Sequence, residues 1–234
     1  MHSLHPASAE EPGYRFYKRF GMLALAIGLC LGVTVGLFLY APPSQFTSLY
    51  SVGWMGYWAL VLCLLLCVQY RKTGVLAVIA GTSFRRPFLV GLSCIVATYV
   101  CGSLLMVLLD LPREPFMVTF FDDLDRGQIA LLIAFLIVFA PMTEELMYRH
   151  FLLRLFPYQR NELWKWTAVL VTTVIFTLSH YQYENVVTLV TIFIVGAVLA
   201  IARVRSGGLM VPVLLHAATE VVGLATDQVL ARVL

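Results

Sequence analysis

Charge is scarce in this sequence: only 12% of its 234 residues are Asp, Glu, Lys or Arg, where a soluble domain carries about a quarter. With 60% of the residues hydrophobic, that scarcity excludes an ordinary soluble domain and indicates an integral membrane protein. The length suits one compact bundle, with no second domain. A basic block is also missing, and the net charge is only +3, so nothing points to nucleic acid as a partner. The five cysteines, Cys30, Cys63, Cys67, Cys94 and Cys101, form no CxxC pair and fall within apolar runs. Cysteines so placed behave as small hydrophobes, which argues against both a disulfide framework and a zinc cluster. No internal repeat of the kind that marks many transporters is visible.

What the sequence does have is a series of long apolar runs. Met1 to Pro12 is polar and reads as a disordered tail. Arg15, Lys18 and Arg19 then precede the first run, Phe20 to Tyr40, which is too long for the apolar core of a signal peptide and long enough to span. Gly28, Gly32 and Gly36 recur in it every four residues. That spacing lets a second helix approach closely, and the general tolerance of glycine in membrane helices explains it equally well. Pro42-Pro43 mark a short loop. Further runs cover 49–70, 88–109, 128 onwards, 166–180, 186–204 and 209–225, with Trp54, Tyr57 and Trp58 as interfacial anchors of the second. The apolar piece from Gly74 to Phe84 is too short to cross and reads as an interfacial or re-entrant element. The acidic stretch from Asp110 to Arg126 lacks the spacing of a calcium loop and reads as solvated.

The expectation is an all-α, polytopic bundle of about seven spans, or eight elements counting the short piece. Basic residues mark the N-terminus, the Arg71–Arg86 and Arg154–Lys165 loops and the Arg203–Arg205 turn, and alternate loops are neutral or acidic. By the positive-inside rule the N-terminus is cytoplasmic. The chain divides into a tail (1–19), an N-terminal transmembrane region (20–127) and a transmembrane core (128–227). It is expected as a multi-pass protein of the lipid bilayer, in the plasma (inner) membrane if bacterial.

Inside the fourth run lies Ala140-Pro141-Met142-Thr143-Glu144-Glu145-Leu146-Met147-Tyr148-Arg149. Ionisable groups within a span are costly and mark function by default. Pro141 removes a backbone donor and is expected to kink or restart the helix, with Thr143 as a cap. Glu145 and Arg149, four apart, share a face and pair; Glu144 is turned about 100° away and lacks that partner. Glu145 is thus held ionised while Glu144 is left to handle protons. The competing reading is a structural ion pair that locks neighbouring helices.

Three histidines lie beyond the tail. His150 points away from Glu144 and is taken as structural or interfacial. His180 ends the fifth run, with Phe176 one turn earlier on the same face. His216 lies inside the seventh run, with Glu220 one turn later. Glu144, His180, His216 and Glu220 occupy three different spans, and buried polar groups need partners, so they are expected to meet. Depth is the obstacle: His180 comes late in its span and Glu144 near the inner end of its own. They meet only if the fourth span runs on towards Phe156, or if helices tilt or break at Pro141.

The glutamate stretch resembles the EExxxR motif of the CAAX-protease and bacteriocin-processing (CPBP/Abi) family. Phe176 and His180 match its FxxxH, His216 matches the histidine opening its third motif, and Gly196, Arg203, Gly207, Gly208 and Pro212 follow its pattern. The resemblance covers roughly residues 128–225. It implies an intramembrane glutamate endopeptidase acting on a peptide or membrane-protein substrate, with no cofactor. Glu144 and His180 would activate a water, His216 would help hold the oxyanion, and Glu145, Arg149 and Phe176 would support them. Glu220 stands where the family usually has Asn or Asp; it is either protonated, or orients His216, or binds something differently. The motifs belong to the wider family, so CAAX processing itself is not implied. The alternatives are a metal-dependent membrane protease with His180, His216 and Glu220 as ligands, a non-catalytic bacteriocin-immunity or partner-binding protein, and a proton-coupled transporter.

Overall fold

The structure is a computed structural model that describes residues 14–40 and 48–233; the polar tail and the Pro42-Pro43 loop lie outside the described residues. Among those described there is no strand. The chain forms α1 (Phe16–Tyr40), α2 (Ser48–Gln69), α3 (Val75–Ala80), α4 (Arg85–Leu108), α5 (Pro115–Thr119), α6 (Arg126–Glu144), α7 (Glu162–Leu178), α8 (Val186–Ser206) and α9 (Met210–Leu230). α6 runs on without a break through π-helical turns at Glu145–Leu152 and a tighter turn at Leu153–Leu155.

The seven expected spans correspond to the seven long helices. Six of them, counting α6 with its continuation, are long and apolar enough to cross a membrane. α7, at 17 residues, stands at the short end of the spanning range of about 17–25. The protein is an integral, multi-pass helical membrane bundle. α1 buries only Leu23, Ala26 and Cys30 among its described side chains, and presents the rest of its apolar surface outward, as a lipid-facing helix does. A side chain added at Gly28, Gly32 or Gly36 would meet nothing within 4 Å, so no helix among the described residues packs on that stripe. Trp54 is buried rather than anchored outward, with its ring against Phe38 and Tyr50.

The depth problem is resolved by two unequal helices. The continuous column from Arg126 to Leu155 has 30 residues, about 45 Å at 1.5 Å per residue, whereas α7 ends at Leu178 and His180 lies half-buried in the turn beyond it. Pro141 lies within α6 and does not restart it. The chain instead widens immediately after Glu144, and such π turns are frequent at functional sites. Thr143 does not cap a new helix either: its hydroxyl donates to the Met55 carbonyl of α2 at 2.8 Å, which fixes α6 against α2. Asp125 caps the true start of α6 by accepting from Gly127 and Gln128, and Gln128 returns a bond to the Asp125 amide.

α4 packs on α8 and α9, and α7 on α8. The short α3 is tied to the α8–α9 turn: Thr82 and Ser83 donate backbone N–H to Ser206 O at 2.8 and 3.2 Å, and Leu209 donates to Val78 O at 3.1 Å. Only glycine fits where the two segments cross, since a Cβ on Gly81 would come within 2.4 Å of Gly208 N. The acidic stretch after α4 is not simply a solvated loop. It contains α5, and Glu114 is buried there, accepting from the amides of Glu184 at 2.6 Å and Asn185 at 3.3 Å.

Candidate active site

The site lies where the π turns of the α6 column face the end of α7 and the first half of α9. Glu145 and Arg149 are both fully buried. Arg149 donates through Nη1 to Glu145 Oε1 at 2.8 Å and through Nη2 to Gly196 O at 3.1 Å, so the expected pair forms and is tied to α8. The guanidinium also lies over the Phe176 ring, with Cζ 4.3 Å from the centroid. Phe176 is the hub of the aromatic packing, with its ring 4.6 Å from His180, 5.9 Å from His216 and 5.3 Å from Tyr148. It occupies the space left by a missing side chain at Gly196, where a Cβ would meet Phe176 Cδ1 at 2.9 Å.

Each imidazole is held by its Nδ1. His180 Nδ1–H donates to its own helix, to Phe176 O at 2.7 Å, a carbonyl that also accepts from the Ser179 hydroxyl at 2.7 Å. His216 Nδ1–H donates to Glu145 Oε1 at 2.8 Å. Both Nε2 atoms therefore turn towards Glu144. Glu144 Oε2 lies 3.9 Å from His180 Nε2 and 3.8 Å from His216 Nε2, is buried, and has no hydrogen-bond partner among the described residues. Glu220 Oε1 is 3.5 Å from His216 Nε2. The four residues expected to meet do meet, and Glu145, Arg149 and Phe176 support them. His150 points elsewhere, as expected; it is buried rather than interfacial, against Gln69 at 3.0 Å and Arg154. Among the described residues no three His, Cys, Asp or Glu side chains are gathered to hold a metal ion.

Glu144, His180, His216 and Glu220 line one wall of a cavity of about 280 Å³. Its other walls include Met55 of α2, Tyr99 and Met106 of α4, Tyr183 and Glu114. Sequence reading misses these wall residues and the bond between His216 and Glu145. The two partners are 71 residues apart, so no local spacing marks them. The available signal is the buried carboxylate itself: one arginine does not exhaust the hydrogen-bonding capacity of Glu145, and a second donor is to be sought.

A helical bundle in the membrane with a buried acid–imidazole cluster is the architecture of a membrane-embedded hydrolase. The model of the type II CAAX prenyl endopeptidase Rce1-like family matches residues 126–222, a segment that holds every residue of the cluster. An Escherichia coli protein described as "Uncharacterized 24.3 kDa protein" is 37% identical over 169 residues, which cover 70% of this chain and 76% of that one. No solved structure matches. The chain belongs to the CAAX-protease and bacteriocin-processing family, a family of membrane proteases whose substrates are peptides or proteins in the bilayer.

Proposed function

We propose that the chain is an intramembrane endopeptidase that hydrolyses peptide bonds of membrane-associated substrates with a water activated by Glu144 and His180. The observation that carries this reading is the placement of Glu144 Oε2, buried, without a hydrogen-bond partner, and between the Nε2 atoms of His180 and His216. A water hydrogen-bonded to Glu144 and His180 gives up a proton to Glu144 as its oxygen bonds the substrate carbonyl carbon. The tetrahedral oxyanion accepts from His216 Nε2–H, and Glu145 supplies the counter-charge that His216 needs while it donates. Glu220 lies beside it, with Oε1 3.5 Å from His216 Nε2. Glu144 then returns the proton to the departing amine as the C–N bond breaks. No metal ion enters these steps. The 128–227 core carries the reacting groups, the 20–127 region walls the cavity, and the N-terminus faces the cytoplasm.

The test replaces the chain in its own host by a Glu144→Gln variant and compares the membrane proteins of the two strains. Gln keeps size and hydrogen bonding but loses the proton acceptor. An uncleaved precursor is expected to accumulate while the variant stays in the membrane at the parental level. The accumulating protein then serves as substrate for purified enzyme, with a prenylated C-terminal peptide as a second probe. Full cleavage by purified Glu144→Gln protein would remove Glu144 as the base, and a phenotype that survives the substitution would indicate partner binding.

A further inference from the structure

The end of the bundle where α2 runs into α3 and the α6 column turns into α7 opens a groove of about 1980 Å³. Arg19, Arg154, Arg160, Lys165, Arg203 and Arg205 line it, and among the described lining residues the sole acid is Glu162, which already pairs with Lys165. Arg203 is the unusual member. It is only 4% exposed, its Nε has no hydrogen-bond partner, and no carboxylate among the described residues pairs with it. Arg154 and Arg203 both lie near the buried His150, Arg154 with Nη1 3.4 Å from its Nε2. Arg154 is held by donating to the Tyr70 hydroxyl, and Arg19 by donating to Arg154 O at 2.8 Å. A guanidinium buried without a counter-charge is strongly disfavoured, so the fold retains it most readily with an anion beside it.

We infer that this groove holds a phosphate group on Arg203. The planar guanidinium fork matches phosphate oxygens, and Arg154 and Arg19 lie close enough to add to its field. Tyr14, Phe16, Trp164 and Trp166 share the groove, and aromatic rings of this kind settle at the headgroup level of a bilayer. A basic pocket between helices at the positively charged end of a bundle suits an anionic lipid headgroup; a free phosphate ion offers the same chemistry. The site adjoins the π turns, because His150 belongs to the same segment as Glu145 and Arg149. The inference stands on Arg203 and its surroundings, independently of the hydrolytic reading.

The experiment uses the full-length protein in a zwitterionic detergent and measures its melting temperature with phosphatidylglycerol, phosphatidylcholine or inorganic phosphate at matched ionic strength. Phosphatidylglycerol at about a hundredfold over its dissociation constant is expected to raise the melting temperature by about 5 °C or more. Phosphatidylcholine should have no such effect. The Arg203→Gln variant, which orphans no carboxylate, should fold and lose the shift. An equal shift with inorganic phosphate, also lost in Arg203→Gln, supports the site and names free phosphate as the source. A shift that survives Arg203→Gln, or equal shifts with both lipids, overturns the inference. Native mass spectrometry of the parent protein gives a reading that needs no variant: preferential retention of phosphatidylglycerol, or of a phosphate adduct, is expected, and retention of neither overturns the site.

Discussion

Arg149→Ala tests the framework on which the site is built. The substitution removes four contacts at once: the 2.8 Å bond to Glu145, the 3.1 Å bond to Gly196 O, and the guanidinium over the Phe176 and Tyr148 rings. Because both partners of the pair are fully buried, breaking it leaves Glu145 with His216 as its remaining partner, at a cost of up to about 3–5 kcal/mol. The lost cation–π contact adds about 1–2 kcal/mol. Against a total stability of about 5–15 kcal/mol, this is enough to lower folded yield. At about 2–4 °C per kcal/mol for a chain of this size, the melting temperature in detergent should fall by about 10–20 °C. The assay is thermal unfolding with size-exclusion yield, run beside cleavage of the accumulating substrate. A matched double variant, Glu145→Gln with Arg149→Met, removes both charges and should recover much of the lost stability. It should stay inactive, because a neutral amide gives His216 no counter-charge. A well-folded Arg149→Ala protein with an unchanged melting temperature would refute the buried pair as a structural element.

Three further outcomes follow from the same geometry. Gly196→Ala forces a Cβ to within 2.9 Å of the Phe176 ring; a loss of about 1–3 kcal/mol is expected, with turnover falling as Phe176 displaces His180, and a parental melting temperature would show that the packing is looser than described. Glu114→Gln weakens the acceptors that hold the amides of Glu184 and Asn185; a loss of about 1–3 kcal/mol and poorer substrate affinity are expected, and unchanged kinetics would remove Glu114 from the positioning of this segment. Glu220→Gln should keep activity or reduce it modestly, since the amide keeps the side chain's size and can donate a hydrogen bond. Activity and bound metal measured on the same Glu220→Gln sample distinguish the readings: stoichiometric zinc in the parent, lost together with turnover in the variant, would overturn the proposed water activation.

The spans were legible because the bilayer imposes a length and a polarity that composition records directly. The meeting of Glu144, His180, His216 and Glu220 was legible for a related reason, since isolated polar groups in apolar helices need one another. What the sequence did not disclose is depth and register. Pro141 was expected to kink or restart the helix, yet α6 runs through it, and two residues on Thr143 bonds the Met55 carbonyl of α2. The widening came after Glu144 instead, in residues with no breaker among them. α7 ends at Leu178, just where polar Ser179 and His180 follow.

Glu145 takes Arg149 from its own helix and His216 from α9 on the same oxygen, while the adjacent Glu144 lines the cavity with a free oxygen. The EExxxR spacing records the pairing partner of Glu145, and the imidazole that Glu145 orients is recorded only by the fold.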